Sequence, residues 1–343
     1  MGKAHLAYIG PLKFLLILGV VIIHSNIAGD GAPFANAGLE IASFVSSQLG
    51  KAFVPSFFVI SGYLFFLGVE RFTASLYAGK LRSRFFTLVI PYVLWNLICA
   101  ALLYFKFRLL NFESYGVYGV DGSVDWRRFI LGFWDFYDGY PFAPAFWFIR
   151  NLICFVVLSP IAYFIGRKWW IIVGTIVVCI IFDTWLFCME FFIIGASLAL
   201  NGFDLRRLRL PAAGVLLPVA AYLAGAYALH VVVGGRWFLP VYLVLTLSGF
   251  IVFLNAALRL NGMENSRVGN LLIQSTFFIY AFHQCFCSIV RKAWLGVVGD
   301  SSTGAALVSY AGSFLTQVAI CFAVWLIMRR FAPGLLKVLT GNR

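Results

Sequence analysis

A chain of 343 residues would ordinarily divide into two or three soluble domains, but 62% of this one is apolar and only 11% is charged. No soluble interior of that size hides the surface of 37 Phe and 10 Trp, so the remaining solvent is lipid. The net charge of +13 needs no nucleic-acid partner if membrane topology accounts for it.

In chain order, apolar runs near the length that crosses a roughly 30 Å hydrocarbon core are Tyr8–Ala28, Phe53–Val69, Phe86–Phe105, Phe146–Ile165 and Trp169–Phe187. Met189–Leu200, Pro211–Val233, Phe238–Leu258, Asn270–Val290 and Thr303–Met328 follow. The sixth is short enough to be a broken or half-spanning helix. Lipid offers no hydrogen-bond partners, and the alternation of a barrel strand is missing, so the spans are expected to be helices. The fold class that follows is all-α: one polytopic bundle of about ten transmembrane helices over residues 1–343.

With the amino terminus inside, the inner segments hold 16 of the 26 Lys and Arg and 3 of the 13 acidic residues. The outer segments hold 8 and 10, and Lys13 and Arg150 lie within helices. That is the asymmetry of the positive-inside rule, and it puts both termini in the cytoplasm. Ala35-Asn36-Ala37 resembles a signal cleavage site but lies far from the apolar run, so the first helix is expected to be retained. Seven Cys, all in or beside apolar spans, form no disulfide framework. His283 and Cys287 share a helix face without further ligands at fitting spacing, so no metal is expected. Only about fifteen residues follow the last span, so any soluble esterase-like partner would be a separate periplasmic chain.

In lipid, the costly residues are the informative ones. Lys13 and His24 are eleven residues apart, about three helical turns, and so share a face. Snorkelling of Lys13 and a structural hydrogen bond from His24 would explain either residue alone; the pair favours function. Lys80, Arg82 and Arg84 precede the third apolar run, where a helix amino terminus near Phe86 would attract phosphate, although topology alone also places basic residues there. The loop from Lys106 to Ala145 carries Trp126, Trp134, Asp135, Tyr137, Asp138 and Tyr140. Aromatic faces beside carboxylates suit a sugar, and an interfacial aromatic belt with a short amphipathic helix at Trp126–Phe133 is the alternative.

At these positions the sequence resembles acyltransferase family 3, the bacterial membrane O-acyltransferases. Lys13-x10-His24 is similar to its first-helix motif, and Pro55-Ser-Phe-Phe-Val-Ile-Ser-Gly-Tyr63 to its second-helix signature. Lys80 through Trp95, with Arg82, Arg84, Pro91 and Tyr92, resembles its basic loop and Pro-Tyr helix. Phe146-Trp-Phe-Ile-Arg150, Phe192-Ile-Ile-Gly195 and Ser275-x4-Tyr280-x2-His283 fit later signatures. The departures are Lys13 where Arg is usual, Gly10 where Asp is frequent, and one residue rather than two between Arg82 and Arg84.

The resemblance implies a cytoplasmic acyl-CoA donor, acetyl-CoA by default, and a saccharide hydroxyl as acceptor, in the bacterial inner membrane. It implies that His24 is catalytic and that the Lys80, Arg82 and Arg84 segment holds the nucleotide end of CoA. Lys13, Arg150 and His283 complete the candidate catalytic set, and Trp147, Glu190 and Tyr280 are candidate acceptor contacts. A His desolvated in a membrane is biased neutral, as a general base requires. At 1.5 Å per residue, His24 lies about 24 Å from the inner boundary, Arg150 about 24 Å and His283 about 20 Å. Glu190 lies just above this layer and Lys13 about 8 Å up. One tunnel linking the basic segment to that layer is therefore expected. The rival reading is a proton-coupled transporter, whose paired broken helices the sequence does not announce.

Overall fold

The computed structural model describes residues 6–28, 34–110, 113–170, 172–174, 177, 188–231 and 237–342. Among them helix is the only extended regular structure; Tyr118–Val124 and Tyr137–Tyr140 form isolated bridges. The helices are α1 Ile9–His24, α2 Ala37–Ser47, α3 Phe53–Phe66, α4 Ala74–Arg84, α5 Ile90–Leu110, α6 Trp126–Leu131, α7 Trp147–Val157 and α8 Ser159–Gly166. Then come α9 Met189–Leu200, α10 Leu216–Val231, α11 Phe238–Arg259, α12 Arg267–Phe282, α13 Cys287–Val297, α14 Thr303–Phe331 and α15 Pro333–Thr340.

Among the described residues, five helices are long and apolar enough to cross a membrane: Ala37–Phe66, Ala74–Leu109, Ala213–Val231, Phe238–Arg259 and Thr303–Phe331. The number rises to seven if each of two bent pairs is one span. Ile9–His24 and Met189–Leu200 are shorter apolar helices, so the sixth run is short as expected and the first is shorter than expected. The expected span Trp169–Phe187 lies almost wholly outside the described residues.

Three expectations need correction. The third helix does not begin near Phe86. It begins at Ala74 and continues through a wider turn at Phe85–Val89 into α5. Ala, Leu, Lys and Arg favour helix, so Ala74–Arg84 stays helical although it is polar; apolarity marks only the part suited to lipid. Pro91 explains the wider turn, because it lacks an N–H for the carbonyl four residues back and its ring crowds that carbonyl. The run Phe146–Ile165 is two helices bent by 70°. Pro160, in the first turn of α8, has no N–H for the Val156 carbonyl and its ring crowds that carbonyl, so the helix breaks at Leu158.

The run Asn270–Val290 is likewise broken, by 67°, at His283–Phe286. No Pro or Gly announces that break. The His283 ring lies 3.0 Å from the Ile279 carbonyl, competing for the group that the next helical turn would use.

The chain packs as two compact units. One comprises Met1–Thr73, Leu158–Thr276 and Cys287–Ala319. In it α3 and α9 meet backbone to backbone. A Cβ on Gly62 would lie 2.0 Å from the Phe192 carbonyl oxygen, and one on Gly195 would lie 1.9 Å from that of Val59. Small residues permit this approach where water supplies no driving force between helices. Two of the motif glycines are therefore packing residues.

The other unit comprises Ala74–Val157, Phe277–Phe286 and Ile320–Arg343. Its loop around α6 has a small core of Ala100, Leu103, Val117, Tyr118 and Phe142, with Phe129, Phe133 and Phe136 packed against it. The short amphipathic helix is present, and many of the loop's aromatics are spent on packing.

Candidate active site

In the first unit, α1 carries Lys13 and His24. Gly19 admits the Phe53 ring, since a Cβ there would lie 2.3 Å from it, and a Cβ on Gly10 would meet Ile273 at 2.9 Å. Nothing interrupts the helix between residues 13 and 24, so the two side chains leave it about 20° apart around the axis and about 16 Å apart along it. Both are partly buried. His24 is the last residue of α1, which matters for what holds it.

Glu190 lies in the same unit, in the first turn of α9, where the helix dipole favours a negative charge. The turn is entered through Cys188 in the left-handed region, with φ 70°. Glu190 is 8% exposed, and neither carboxylate oxygen has a hydrogen-bond partner among the described residues. The Cys188 thiol lies 4.0 Å from the Tyr242 hydroxyl on the neighbouring α11. A buried carboxylate without donors is a costly group to retain.

Trp147, Arg150, Tyr280 and His283 belong to the second unit. The Tyr280 hydroxyl donates to the Ala145 carbonyl at 2.6 Å, and its ring stacks on Phe146 at 5.4 Å. This joins the segment before α7 to α12, two signatures far apart in sequence. Trp147 is partly buried at the start of α7. His283 is fully buried on the turn between α12 and α13, its ring 6.5 Å from that of Tyr280.

Arg150 reaches into the α6 loop. Its Nη1 donates to the Trp134 carbonyl and, at 2.9 Å, to the Gly139 carbonyl. Its Nε donates to Asn151 at 3.3 Å, and the guanidinium lies 4.9 Å above the Trp134 ring. The Tyr92 hydroxyl donates to the Phe133 carbonyl, and the Gly139 amide to Asp135 at 2.9 Å. The turn that exposes Trp134, Tyr137 and Tyr140 is thus tied down at both ends. Asn96 is a further anchor that sequence reasoning passed over. Fully buried, it accepts from the Ala143 amide at 3.0 Å and donates to the Tyr92 carbonyl at 2.8 Å. An amide inside an apolar run was the available signal.

The basic segment is a helix face rather than a loop. Lys80 and Arg84, four residues apart, share the side of α4 that carries Tyr77. The Tyr77 hydroxyl donates to the Val157 carbonyl at 2.7 Å, so that side meets the end of α7. Arg82 is exposed, about 200° around the helix from Lys80. With no helix beginning at Phe86, side chains rather than backbone amides must supply any phosphate contact here. Among the described residues, no three His, Cys, Asp or Glu side chains gather as they would around a metal ion.

These elements can be set beside known proteins. The chain is similar to the succinoglycan biosynthesis protein ExoH of Rhizobium meliloti (strain 1021), 25% identical over 368 aligned positions that cover 98% of this chain and 92% of that protein. No solved structure matches. A family model for an acyltransferase domain matches residues 6–327, nearly the whole chain, including the segments that carry Lys13, His24, Arg150, Glu190 and His283. This multi-pass membrane protein is a transferase and belongs to acyltransferase family 3.

Proposed function

We propose that the protein is an O-acyltransferase of the bacterial inner membrane that moves an acyl group, acetyl by default, from cytoplasmic acyl-CoA to a saccharide hydroxyl at or beyond the membrane. The observation that carries the reading is His24, a base-competent imidazole ending a short apolar helix, on the face that carries Lys13, in a chain of this family. The relative's role in succinoglycan biosynthesis supports a polysaccharide acceptor. The charge asymmetry supports about ten crossings with both termini inside.

In this reading His24 takes the proton of the acceptor hydroxyl as its oxygen attacks the thioester carbon. The C–S bond breaks, the new C–O bond forms, and the proton leaves with the CoA sulfur. Arg150 stabilises the oxyanion through Nη2, since its described hydrogen bonds use Nε and Nη1. Glu190 and His283 orient acceptor and imidazole, and Trp147 and Tyr280 shape the acceptor's surroundings. Lys13 lines the route of the pantetheine arm, and Lys80 and Arg84, with Arg82 outside them, hold the CoA phosphates. Deleting the gene should shift the organism's extracellular glycan by the mass of one acyl group per modified residue. An unchanged glycan mass profile would count against the acceptor class.

Two variants probe the parts. Arg84→Ala should raise the KM for acyl-CoA several-fold with kcat nearly unchanged, because a phosphate contact far from the reacting carbon supplies uniform binding. The effect should shrink at high salt, and Arg82→Ala on the opposite face should do less. A collapsed kcat at constant KM would remove the donor-binding role. Arg150→Lys should lower kcat by about 10²-fold, because an ammonium cannot serve two loop carbonyls and an oxyanion together. Limited proteolysis of the 134–140 turn should quicken in the same variant.

A transporter has one observation in its favour: two broken helices, of which the sequence announces only the one at Pro160, resemble those that line transport sites. Family membership weighs against it. Uptake of solute without thioester cleavage would reverse that judgement.

A further inference from the structure

An α-helix ends with four carbonyls that have no intrahelical donor, and lipid provides none. α1 has only 16 residues and ends at His24, so its last carbonyls need donors from within the protein. The first unit supplies them. The Ser25 hydroxyl donates to the Val21 carbonyl at 2.7 Å, and the Ser25 amide to Ile22 at 3.1 Å. The Ser46 and Tyr310 hydroxyls, 2.8 Å apart, each lie 3.3 Å from the Ile22 carbonyl. One donates to it and the other donates to its neighbour. Arg291 Nη1 donates to the Asn26 carbonyl at 2.7 Å, fixing the chain where it leaves the helix. Gln317 Nε2 donates to the Ser25 hydroxyl at 3.1 Å and to that of Ser313 at 3.0 Å.

Ser25, Ser46, Ser313 and Gln317 are all at least 97% buried. Four polar side chains in an apolar bundle are expensive unless they are paired. Ser46 from α2, Arg291 from α13, and Tyr310 and Gln317 from α14 converge on Ile22, Ser25 and Asn26, the residues either side of His24.

We propose that Ser46, Arg291, Tyr310 and Gln317 are positioning residues that hold the end of α1 so that the His24 imidazole meets the acceptor hydroxyl. The inference rests on the proposed role of His24 and names what enforces it. A base displaced by about 1 Å costs on the order of 10²-fold in rate, and a frayed helix end moves by at least that much.

The test uses the full-length protein in detergent or nanodiscs, with labelled acetyl-CoA as donor and the organism's deacylated extracellular polysaccharide as acceptor. Arg291→Ala and Tyr310→Phe should each lower kcat by about 10- to 100-fold while the KM for acetyl-CoA stays within about twofold. Arg291→Lys, which can still reach a carbonyl, should recover part of the loss. In the His24→Ala background, Arg291→Ala should lower the residual rate no further, since a residue acting through His24 has nothing left to act upon. Tyr310→Phe keeps the ring, so elution as a single sharp peak shows that its loss of rate is not a loss of fold.

The inference is overturned if His24→Ala is inactive while the cap variants turn over normally, or if Arg291→Ala depresses the double variant further. An active His24→Ala protein would overturn the catalytic reading and this inference together.

Discussion

His24→Ala should abolish acyl transfer, lowering kcat by about 10²–10⁴-fold, the range over which a general base contributes. The variant should still insert and elute as a single peak, because the groups that hold this end of α1 bond to Ile22, Ser25 and Asn26, which the variant keeps. Its KM for acyl-CoA should hardly change, since the loss falls on the transition state. Kinetics on purified protein, normalised to the monodisperse fraction, decide it. Near-normal turnover would end the assignment of His24 as the base.

The second large effect concerns folding rather than chemistry. Gly195→Val should remove most of the folded protein, because even the first carbon of the new side chain would sit 1.9 Å from the Val59 carbonyl oxygen. Backbone cannot yield as a flexible side chain can, so the cost should exceed the roughly 1–3 kcal/mol typical of overpacking. Gly62→Val should behave alike from the other side of the same contact, and Gly79→Val, which has open space around it, should be tolerated. Fluorescence-detected size exclusion compares all three. A stable, monodisperse Gly195→Val protein would mean that α3 and α9 are not held at this separation.

How much of this was legible in the sequence depends on which force wrote each feature. Apolarity located α3, α11 and α14 to within a few residues, because lipid burial selects composition directly. It misplaced the start of the third helix because Ala74–Arg84 is helical by propensity while being polar. The break after Val157 was readable in Pro160; the one at His283 was not, since a side-chain bond to the Ile279 carbonyl helps make it.

The candidate residues divided in the same way. Lys13 and His24 were conspicuous as charge and imidazole in an apolar run, whereas Asn96 and Gln317 are uncharged amides whose weight shows only in their partners. Ser309, Ser313 and Gln317 do form a polar stripe at four-residue spacing on α14, a signal that would have pointed to the α1 cap. The role of Gly62 and Gly195 in helix packing was invisible until the two backbones were seen in contact.

The central claim is transfer of an acyl group from CoA to a glycan, not movement of a solute. It is tested most directly by reconstituting the purified protein into liposomes with radiolabelled acetyl-CoA on one side and deacylated polysaccharide on the other. The account predicts label in the polysaccharide and free CoA on the donor side, both lost with His24→Ala. Intact acetyl-CoA on the donor side, with polysaccharide or solute carried across the bilayer unlabelled, would contradict it.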